Sequence, residues 1–268
     1  MLFKFGVIAD TQYSDEDNFR KCRFRLSKGK LADAVATLNT MELDFVVQLG
    51  DFINRDFSTF DEVLPILDEL NCDIYSVLGN HDLCVEDDKK RKVFKKLTMP
   101  FRYYSQIVSG WKLIFLDGND ISLNAFPEGS EKYLAAEELF NSIESESKWW
   151  NGAIGGTQLQ WLENELITSE KNNQNVIIFC HFPITPDSEF TLWNRLDVLQ
   201  SLNRFKCVKF WMNGHHHEGA FVEENGRYYV TFKGMVETES NSFATVEVYE
   251  DKVEIHGFGR EDSRVLNF

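Results

Sequence analysis

Residues 44–51 read DFVVQLGD, and this stretch sets the pattern that predicts the fold of the whole chain. Its first six residues form a short, largely apolar run, which is typical of a strand buried on both faces of a sheet. The run ends at Gly50-Asp51, a pair that favours a tight turn and carries a carboxylate. The stretch therefore predicts a buried strand with an acidic side chain at its carboxyl end.

The same kind of run recurs on both sides of this stretch. Runs at residues 3–9, 73–78, 175–180 and 207–212 are short and apolar, and most are separated by leucine, valine and methionine residues at helical spacing. Residues 102–108 and 111–116 favour a hairpin across Ser109-Gly110. Alternating runs between residues 220 and 258 favour a meander of strands. The alternation of strands with helices indicates a sheet built from βα units and buried on both faces.

The pattern as a whole predicts two β-sheets with helices on the outside, in one domain of α/β or α+β character over residues 1–268. The sequence contains no internal repeat and no linker. Residues 118–155 differ, because they are polar and aromatic with short helical patterns, and we expect them to form an insertion. Since long loops of this kind are more often functional than idle, we expect the insertion to lie near the active site.

The charge balance disfavours two classes of partner. Lys and Arg total 28 against 43 Asp and Glu, which gives a net charge of −15 at pH 7. So acidic a surface repels phosphate backbones and anionic lipids, and we expect no nucleic-acid and no membrane partner. The five cysteines are odd in number and form no C-x-x-C pair, which favours a reducing, cytoplasmic compartment. A phosphate-bearing ligand would need a local positive charge that the overall composition does not supply.

Side chains that can bind a metal follow five of the apolar runs, at the point where each predicted strand ends. They are carboxylates, amides and imidazoles: Asp10, Gln12, Asp51, Asn80, His81, His181, His215 and His217. In open α/β sheets, ligands bind in the crevice beyond the carboxyl ends of the strands. One aspartate at a strand end means little, because turns favour aspartate, but five coincident cases predict a functional site.

The donor types indicate which ions this site would hold. Oxygen and imidazole donors without a thiolate motif favour a catalytic site for Mn²⁺, Fe or Zn²⁺ over a structural zinc site. These ligands are too many for one ion, so the pattern predicts two divalent ions that share a carboxylate. Two such ions can activate a water and hold phosphoryl oxygens. They also supply the positive charge that a phosphate ligand requires in an acidic chain.

The motifs D-x-Q, GD-x-x-N, GNHD, a further histidine and G-H-x-H together resemble the calcineurin-like metallophosphoesterase superfamily over nearly the whole chain. The resemblance implies a four-layer αββα sandwich of two mixed β-sheets flanked by helices, with a dimetal site. It implies that His81 donates a hydrogen bond or a proton to the departing phosphate oxygen. It also implies two ligand sets bridged by Asp51: Asp10, Gln12 and His217 for one ion, and Asn80, His181 and His215 for the other.

Gln12 departs from the superfamily pattern, in which most members have histidine at this position. Because a neutral amide oxygen is a harder and weaker ligand than imidazole, we expect this ion to bind less tightly and the site to favour Mn²⁺ or Mg²⁺ over zinc. The amide is also informative about the subfamily. D-x-Q-Y, the segments at 18–25, 149–162, 181–186 and 214–220, and the KGMVET and GFGREDSR segments together resemble the manganese-dependent ADP-ribose/CDP-alcohol diphosphatases.

That resemblance implies an enzyme whose metal-bridging hydroxide cleaves the pyrophosphate bond of ADP-ribose, a CDP-alcohol or a related nucleoside-diphosphate compound. The product would be a nucleoside monophosphate. Two alternatives within the superfamily are a phosphomonoesterase and a cyclic-nucleotide phosphodiesterase. A non-catalytic metal-binding scaffold is disfavoured, because competent side chains occupy all the ligand positions.

Three residues are candidates for substrate binding. Arg23 and Arg25 lie in a basic segment directly after the first ligand pair, and arginine can bind a phosphate through two hydrogen bonds. A solvated surface is the alternative reading of the same charges. Tyr13 is a candidate for stacking on the nucleobase. We expect a monomer whose partner is a small-molecule nucleoside-diphosphate substrate.

Overall fold

The computed structural model describes residues 1–143 and 146–268, and within these residues the chain forms fourteen strands and eight α-helices. The strands are β1 (Phe3–Ile8), β2 (Phe45–Gln48), β3 (Asp73–Ser76), β4 (Tyr104–Val108), β5 (Trp111–Phe115), β6 (Ile121–Ser122), β7 (Gly152–Ala153), β8 (Val176–Phe179), β9 (Val208–Asn213), β10 (Ala220–Glu224), β11 (Arg227–Thr231), β12 (Ser242–Val248), β13 (Lys252–Gly259) and β14 (Arg264–Asn267). The helices are α1 (Phe24–Leu38), α2 (Phe60–Leu67), α3 (Asn80–Leu83), α4 (Asp87–Lys90), α5 (Val93–Lys96), α6 (Glu131–Ser142), α7 (Gly156–Lys171) and α8 (Arg195–Leu202).

Twelve of these strands form two six-stranded mixed sheets. The first sheet has the order β14-β13-β12-β1-β2-β3, in which β1, β2 and β3 are parallel and the remaining pairs are antiparallel. The second has the order β10-β11-β9-β8-β5-β4, with a parallel centre made of β11, β9, β8 and β5. In each sheet the parallel strands end at one edge, and this edge carries the candidate ligands.

The two sheets pack face to face through aromatic side chains. Phe5 stacks on Phe45 within the first sheet, at 5.0 Å between ring centroids, and meets Phe179 of the second sheet edge-on at 5.8 Å. Side chains alternate along each strand, so the next residues point outward toward helices. On the second sheet, Ile178 and Trp211 pack with the apolar faces of α7 and α8. The predicted arrangement of two mixed sheets flanked by helices is therefore confirmed.

The outer face of the first sheet is covered by α1. Leu38 of α1 lies so close over Gly6 that a Cβ added to this glycine would come within 3.2 Å of a leucine methyl group. Leu31 and Val35 of the same helix are fully or almost fully buried. The small residue in β1 therefore allows the helix to approach the strand closely.

The predicted hairpin is confirmed, since β4 and β5 pair antiparallel around Ser109 and Gly110. The single meander predicted for residues 220–258 is wrong. β10 and β11 join the second sheet, whereas β12 and β13 join the first, together with β14, which the sequence did not indicate. The reason is the segment between β11 and β12, in which Met235 and Val236 donate backbone hydrogen bonds to the carbonyls of Ala9 and Asp10. This segment carries the chain across the ligand-bearing edge from one sheet to the other.

Within the described ranges, none of the helices combines the length and the apolar character that crossing a bilayer requires.

Candidate metal centre

The loops that follow the parallel strands hold four candidate ligands in a strained backbone conformation. Asp10, Gln12, Asp51 and His215 have φ angles of 49°, 42°, 52° and 68°. A positive φ is uncommon for residues other than glycine, and such residues cluster at functional sites, where the surrounding structure holds them in place. The backbone of these loops is thus shaped to turn the side chains inward.

Two glycines allow these loops to approach one another. Gly50 has a φ of +91°, and a Cβ at this position would overlap the imidazole of His181. A Cβ on Gly79 would overlap both the backbone nitrogen and the carboxylate of Asp51. The glycines of the GD and GNHD motifs are therefore required by close contact and not only by turn geometry.

The first group of candidate ligands is fully buried and converges on one point. His181 Nε2 lies 3.1 Å from Asn80 Oδ1, 3.1 Å from His215 Nδ1 and 3.3 Å from Asp51 Oδ2. These residues come from both sheets, because Asp51 and Asn80 follow β2 and β3, whereas His181 and His215 follow β8 and β9. Asp51, His181 and His215 form a cluster whose ligand atoms all lie within 4.8 Å of one another.

The hydrogen bonds of this group fit a metal ion. His181 Nδ1 lies 2.8 Å from the carbonyl oxygen of Leu49, which can only accept, so this nitrogen carries the proton of the neutral ring and Nε2 carries a lone pair. The Nε2 lone pair then faces an amide oxygen, a carboxylate oxygen and a second imidazole nitrogen. A divalent cation at this point would be within reach of all these acceptors.

The second group lies beside the first, and its Gln12 contacts Asp51 of the first group. His217 Nε2 is 3.6 Å from Asp10 Oδ1, and the Asp10 carboxylate also accepts a 3.0 Å hydrogen bond from the backbone N–H of His215. Gln12 Nε2 donates to Asp51 Oδ2 at 3.0 Å. To bind a metal, the Gln12 amide would have to present Oε1 in place of Nε2. The assignment of individual ligands to two ions stays a prediction.

Charge coupling is strong in this buried centre. Burial alone would raise the pKa of Asp51, but the neighbouring imidazoles of His181 and His81 lower it well below its usual range. Burial disfavours the charged form of His181, yet the neighbouring Asp51 carboxylate raises the pKa of this histidine to about 9. Burial and the nearby His181 charge lower the pKa of His215 well below its usual value. These opposite shifts arise because the buried carboxylate and imidazoles lie within contact distance of one another.

His81, the candidate catalytic residue, is held between the two loops. Its backbone N–H donates to Asp51 Oδ1 at 2.7 Å, and its ring Nδ1 lies 2.7 Å from Asn54 Oδ1. Asn54 Nδ2 in turn donates to Glu16 Oε2 at 2.8 Å, which directs the amide oxygen toward His81. Burial lowers the pKa of His81 to about 4.

Several residues that position these groups were not identified from the sequence. Asn54 belongs to the GD-x-x-N motif, and its place in that motif was the available signal. Glu237, whose Oε1 lies 3.4 Å from His217 Nδ1, and Asn151, whose Oδ1 lies 2.7 Å from His215 Nε2, carry no local signal of a role. Both lie in segments that matched the diphosphatase pattern, residues 149–162 and KGMVET, and this match was the only hint available.

The three candidate substrate-binding residues lie in different environments. Tyr13 is 4% exposed, and its hydroxyl donates to Glu62 at 2.8 Å. The guanidinium of Arg23 donates to the backbone oxygens of Arg20 and Cys22, and that of Arg25 pairs with Asp17 at 2.9 Å. Tyr13 and Arg25 are thus already paired with carboxylates of the chain, Glu62 and Asp17. A substrate that binds to either residue would have to displace that carboxylate. Their roles in substrate binding stay predictions.

Comparison with protein families gives a match over most of the chain. The sequence model described as calcineurin-like phosphoesterase matches residues 3–219. This region spans every candidate ligand from Asp10 to His217.

Individual proteins are similar over their full length. The manganese-dependent ADP-ribose/CDP-alcohol diphosphatase of Homo sapiens is 30% identical, with 100% of this chain and 93% of that protein aligned. The protein of the same name from Arabidopsis thaliana is 28% identical over 98% of this chain and 96% of its own length. Among solved structures, a dimetal phosphatase from Danio rerio superposes with a TM-score of 0.89 at 27% identity, covering 100% of this chain and 99% of the other.

Proposed function

The chain belongs to the calcineurin-like phosphoesterase family, and we propose that it is a manganese-dependent hydrolase of nucleoside-diphosphate compounds. Its substrates would be ADP-ribose, CDP-alcohols or related molecules, which it would cleave at the pyrophosphate bond to release a nucleoside monophosphate. The observation that carries this proposal is the buried convergence of Asp51, Asn80, His181 and His215 on one point. Their donor atoms are those that divalent metals of the Mn²⁺ class bind.

Similarity in sequence supports the choice of substrate. The related proteins from Homo sapiens and Arabidopsis thaliana are named for ADP-ribose and CDP-alcohol hydrolysis, and they align with this chain over nearly their entire lengths. The ligand set supports Mn²⁺ in particular, because Gln12, with its Oε1 turned to the ion, would contribute a hard amide oxygen where an imidazole would favour zinc.

Each candidate residue would have a distinct role in metal binding. Two divalent ions, when bound, supply the positive charge that holds a diphosphate and the Lewis acidity that activates a water. Asp10, Gln12 and His217 would hold one ion, Asn80, His181 and His215 the other, and the Asp51 carboxylate both. The backbone N–H of His81 fixes the Asp51 carboxylate through its 2.7 Å hydrogen bond.

The His81 ring would act on the leaving group. Its Nδ1 donates to Asn54, so in the neutral ring Nε2 is an acceptor. His81 can then donate to a phosphate oxygen from Nε2 only as the imidazolium. The negative charge of a bound diphosphate favours that form, because an opposite charge nearby raises the pKa of an imidazole.

Two other activities use the same centre. A phosphomonoesterase or a cyclic-nucleotide phosphodiesterase would need the same ions and the same histidine. They are distinguished from a diphosphatase by the substrate that is turned over.

A substrate panel tests the proposal. The purified protein, loaded with Mn²⁺, is assayed with ADP-ribose, CDP-choline, cyclic AMP and p-nitrophenyl phosphate, and products are separated by ion-exchange chromatography. We expect the highest kcat/KM for ADP-ribose or CDP-choline, with AMP or CMP as product. Preference for cyclic AMP or for p-nitrophenyl phosphate would contradict the substrate assignment.

Two variants distinguish a loss of the metal centre from a general effect of an Asp→Asn substitution on folding. Asp51→Asn removes the shared carboxylate and is expected to reduce both bound Mn²⁺ and turnover to near background. Asp251→Asn makes the same chemical change at an exposed turn and should retain wild-type activity. Full activity of Asp51→Asn would contradict the role of the centre, whatever the substrate.

A further inference from the structure

We infer that Asn151 is a positioning residue that fixes the proton of His215 on Nε2 and thereby directs the His215 Nδ1 lone pair into the candidate metal centre. Asn151 itself lies outside the predicted ligand set, and it belongs to the segment 118–155. The inference rests on the proposed function only in that the centre binds metal. It does not depend on which substrate is cleaved.

The orientation of the Asn151 amide is determined by its neighbours. The side chain is fully buried, and its Nδ2 donates to the carbonyl oxygens of Glu189 at 2.8 Å and Thr191 at 3.1 Å. It also contacts Ser147 Oγ at 2.7 Å. Because backbone carbonyls can only accept, the amide nitrogen must point toward them and Oδ1 must point the other way.

That orientation determines the tautomer of His215. Asn151 Oδ1 lies 2.7 Å from His215 Nε2, and an amide oxygen can only accept. His215 Nε2 must therefore carry a proton. Since the neutral ring has a single N–H, Nδ1 carries the lone pair.

Two phenylalanine rings restrict the orientation of the His215 imidazole. Phe182 and Phe190 pack edge-on against the ring, at 4.7 and 5.7 Å between centroids. These contacts hold the plane of the ring, so the hydrogen bond to Asn151 decides which nitrogen is protonated. With the proton moved to Nδ1, the N–H would point at His181 Nε2, 3.1 Å away, and would block the approach of an ion.

In both histidines of the first ligand group, one ring nitrogen donates a hydrogen bond and the other presents its lone pair to the centre. The hydrogen-bond acceptors differ. His181 donates from Nδ1 to the backbone oxygen of Leu49 and presents Nε2. His215 donates from Nε2 to Asn151 and presents Nδ1. Partners of this kind orient metal-binding histidines, and their loss commonly reduces metal affinity by about 10–100-fold.

The experiment compares three variants of the full-length protein. Asn151→Leu has a similar size but removes both the acceptor and the donor. Asn151→Asp retains an oxygen that can accept from His215 but loses the donor to Glu189 and Thr191. Ser147→Ala removes the hydroxyl that accepts from Asn151 Nδ2 and donates to the Thr191 carbonyl, while it leaves Asn151 Oδ1 unchanged, so it serves as the control for the packing of this loop.

Two measurements are made, neither of which requires substrate. The ring ¹⁵N chemical shifts of metal-free protein, assigned with a His215→Gln variant, report which nitrogen of His215 is protonated. Titration with Mn²⁺, followed by the EPR signal of free Mn²⁺, reports the affinity and the stoichiometry. We expect Nε2–H at His215 in wild type, Asn151→Asp and Ser147→Ala, and a loss of this preference in Asn151→Leu. We also expect one of two Mn²⁺ ions to bind about 10–100-fold more weakly in Asn151→Leu only.

The outcomes that would overturn the inference are equally direct. A wild-type protein with the His215 proton on Nδ1 would overturn it without any variant, even if Asn151→Leu fails to fold. Equal weakening of Mn²⁺ binding in all three variants would reduce Asn151 to a structural role. A protein that binds two Mn²⁺ ions yet cleaves none of the panel substrates would contradict the proposed function and leave this inference intact.

Discussion

At His81 several neighbours act in opposite directions on one imidazole. Burial lowers its pKa, the Asp51 carboxylate raises it, and the Arg55 guanidinium lowers it again, with a net result of about 4. In the metal-free protein His81 is therefore neutral at neutral pH. The same ring is expected to act as an imidazolium on a bound diphosphate, so its protonation must be coupled to substrate binding.

The low pKa of His81 predicts a pH dependence of stability. The unfolded chain takes up a proton near pH 6.5, whereas the folded protein does so only near pH 4. Between these values the unfolded state binds more protons, so the free energy of unfolding must fall as the pH decreases from 6.5 to 4. The contribution is about 2–3 kcal/mol over this range.

Urea denaturation in EDTA from pH 7.5 to pH 4.5 measures this effect, with His81→Gln as the comparison. We expect the wild-type free energy of unfolding to decrease more steeply than that of the variant, because glutamine does not titrate. The other buried histidines are present in both proteins, so the difference between the curves reports the titration of His81 together with its effect on the pKa values of its neighbours. Parallel curves for the two proteins would show that His81 has an ordinary pKa.

At the scale of elements, two short loops form the centre only because they interlock. Asp82, in α3, accepts hydrogen bonds from the backbone N–H groups of Phe52 and Ile53 at 2.8 and 3.2 Å and from that of Gly79 at 3.0 Å. It thereby ties the loop after β2 to the loop after β3. Burial and the nearby Asp51 raise the pKa of Asp82 to about 7.

The contact between these loops predicts the effect of a single methyl group. Gly79→Ala would drive a Cβ into the backbone of Asp51, so the two loops must separate. We expect a loss of about 1–3 kcal/mol in stability and weaker Mn²⁺ binding, measured by thermal unfolding and by metal titration.

Gly156→Ala is the matched control. Gly156 is the first residue of α7, and a Cβ added there meets no atom within 4 Å. Alanine is the better helix former, so this variant is expected to be neutral or more stable by about 0.5–1 kcal/mol. Gly79→Ala with wild-type stability and wild-type metal affinity would refute the interlocking of the loops.

The strand ends could be predicted from the sequence because each one is a local signal. An apolar run followed by Gly50-Asp51 or Gly79-Asn80-His81 combines strand, turn and donor within a few neighbouring residues. The roles of Asn151 and Glu237 could not be predicted in this way. Each depends on a contact with a histidine that lies 64 or 20 positions away in the chain, and a polar residue in a loop looks the same with or without such a contact.

For the molecule as a whole, too, the sequence predicted only part of the architecture. Two sheets with outer helices followed from alternating strand and helix patterns, but the assignment of the last strands to sheets did not. Short alternating strands carry no signal of which sheet they join. The choice goes with the hydrogen bonds of Met235 and Val236 to Ala9 and Asp10, which join segments far apart in the chain and leave no local signal in the sequence.

The location of the centre between the sheets predicts that metal ions stabilise the whole molecule. Asp51 and Asn80 come from the first sheet and His181 and His215 from the second, so an ion held by all four links the two halves of the sandwich. A ligand that binds only the folded state adds about 2.7 kcal/mol at a free concentration of 100 times Kd. Two ions would then add about 5 kcal/mol, which for a chain of this size raises Tm by about 10 °C or more.

Differential scanning calorimetry in EDTA and in excess Mn²⁺ tests this link between the sheets. Wild-type protein is expected to gain the full increase in Tm, and Asp51→Asn to lose most of it, because the Asp51 carboxylate is predicted to hold both ions. Asp251→Asn serves as the control, since this exposed aspartate lies outside the candidate metal centre; it should respond to Mn²⁺ like the wild type. If Mn²⁺ raises the Tm of Asp51→Asn as much as that of wild type, the ions bind elsewhere on this acidic surface. The two sheets would then be held together by their aromatic core and by hydrogen bonds such as that from the His215 N–H to Asp10, without a contribution from the ions.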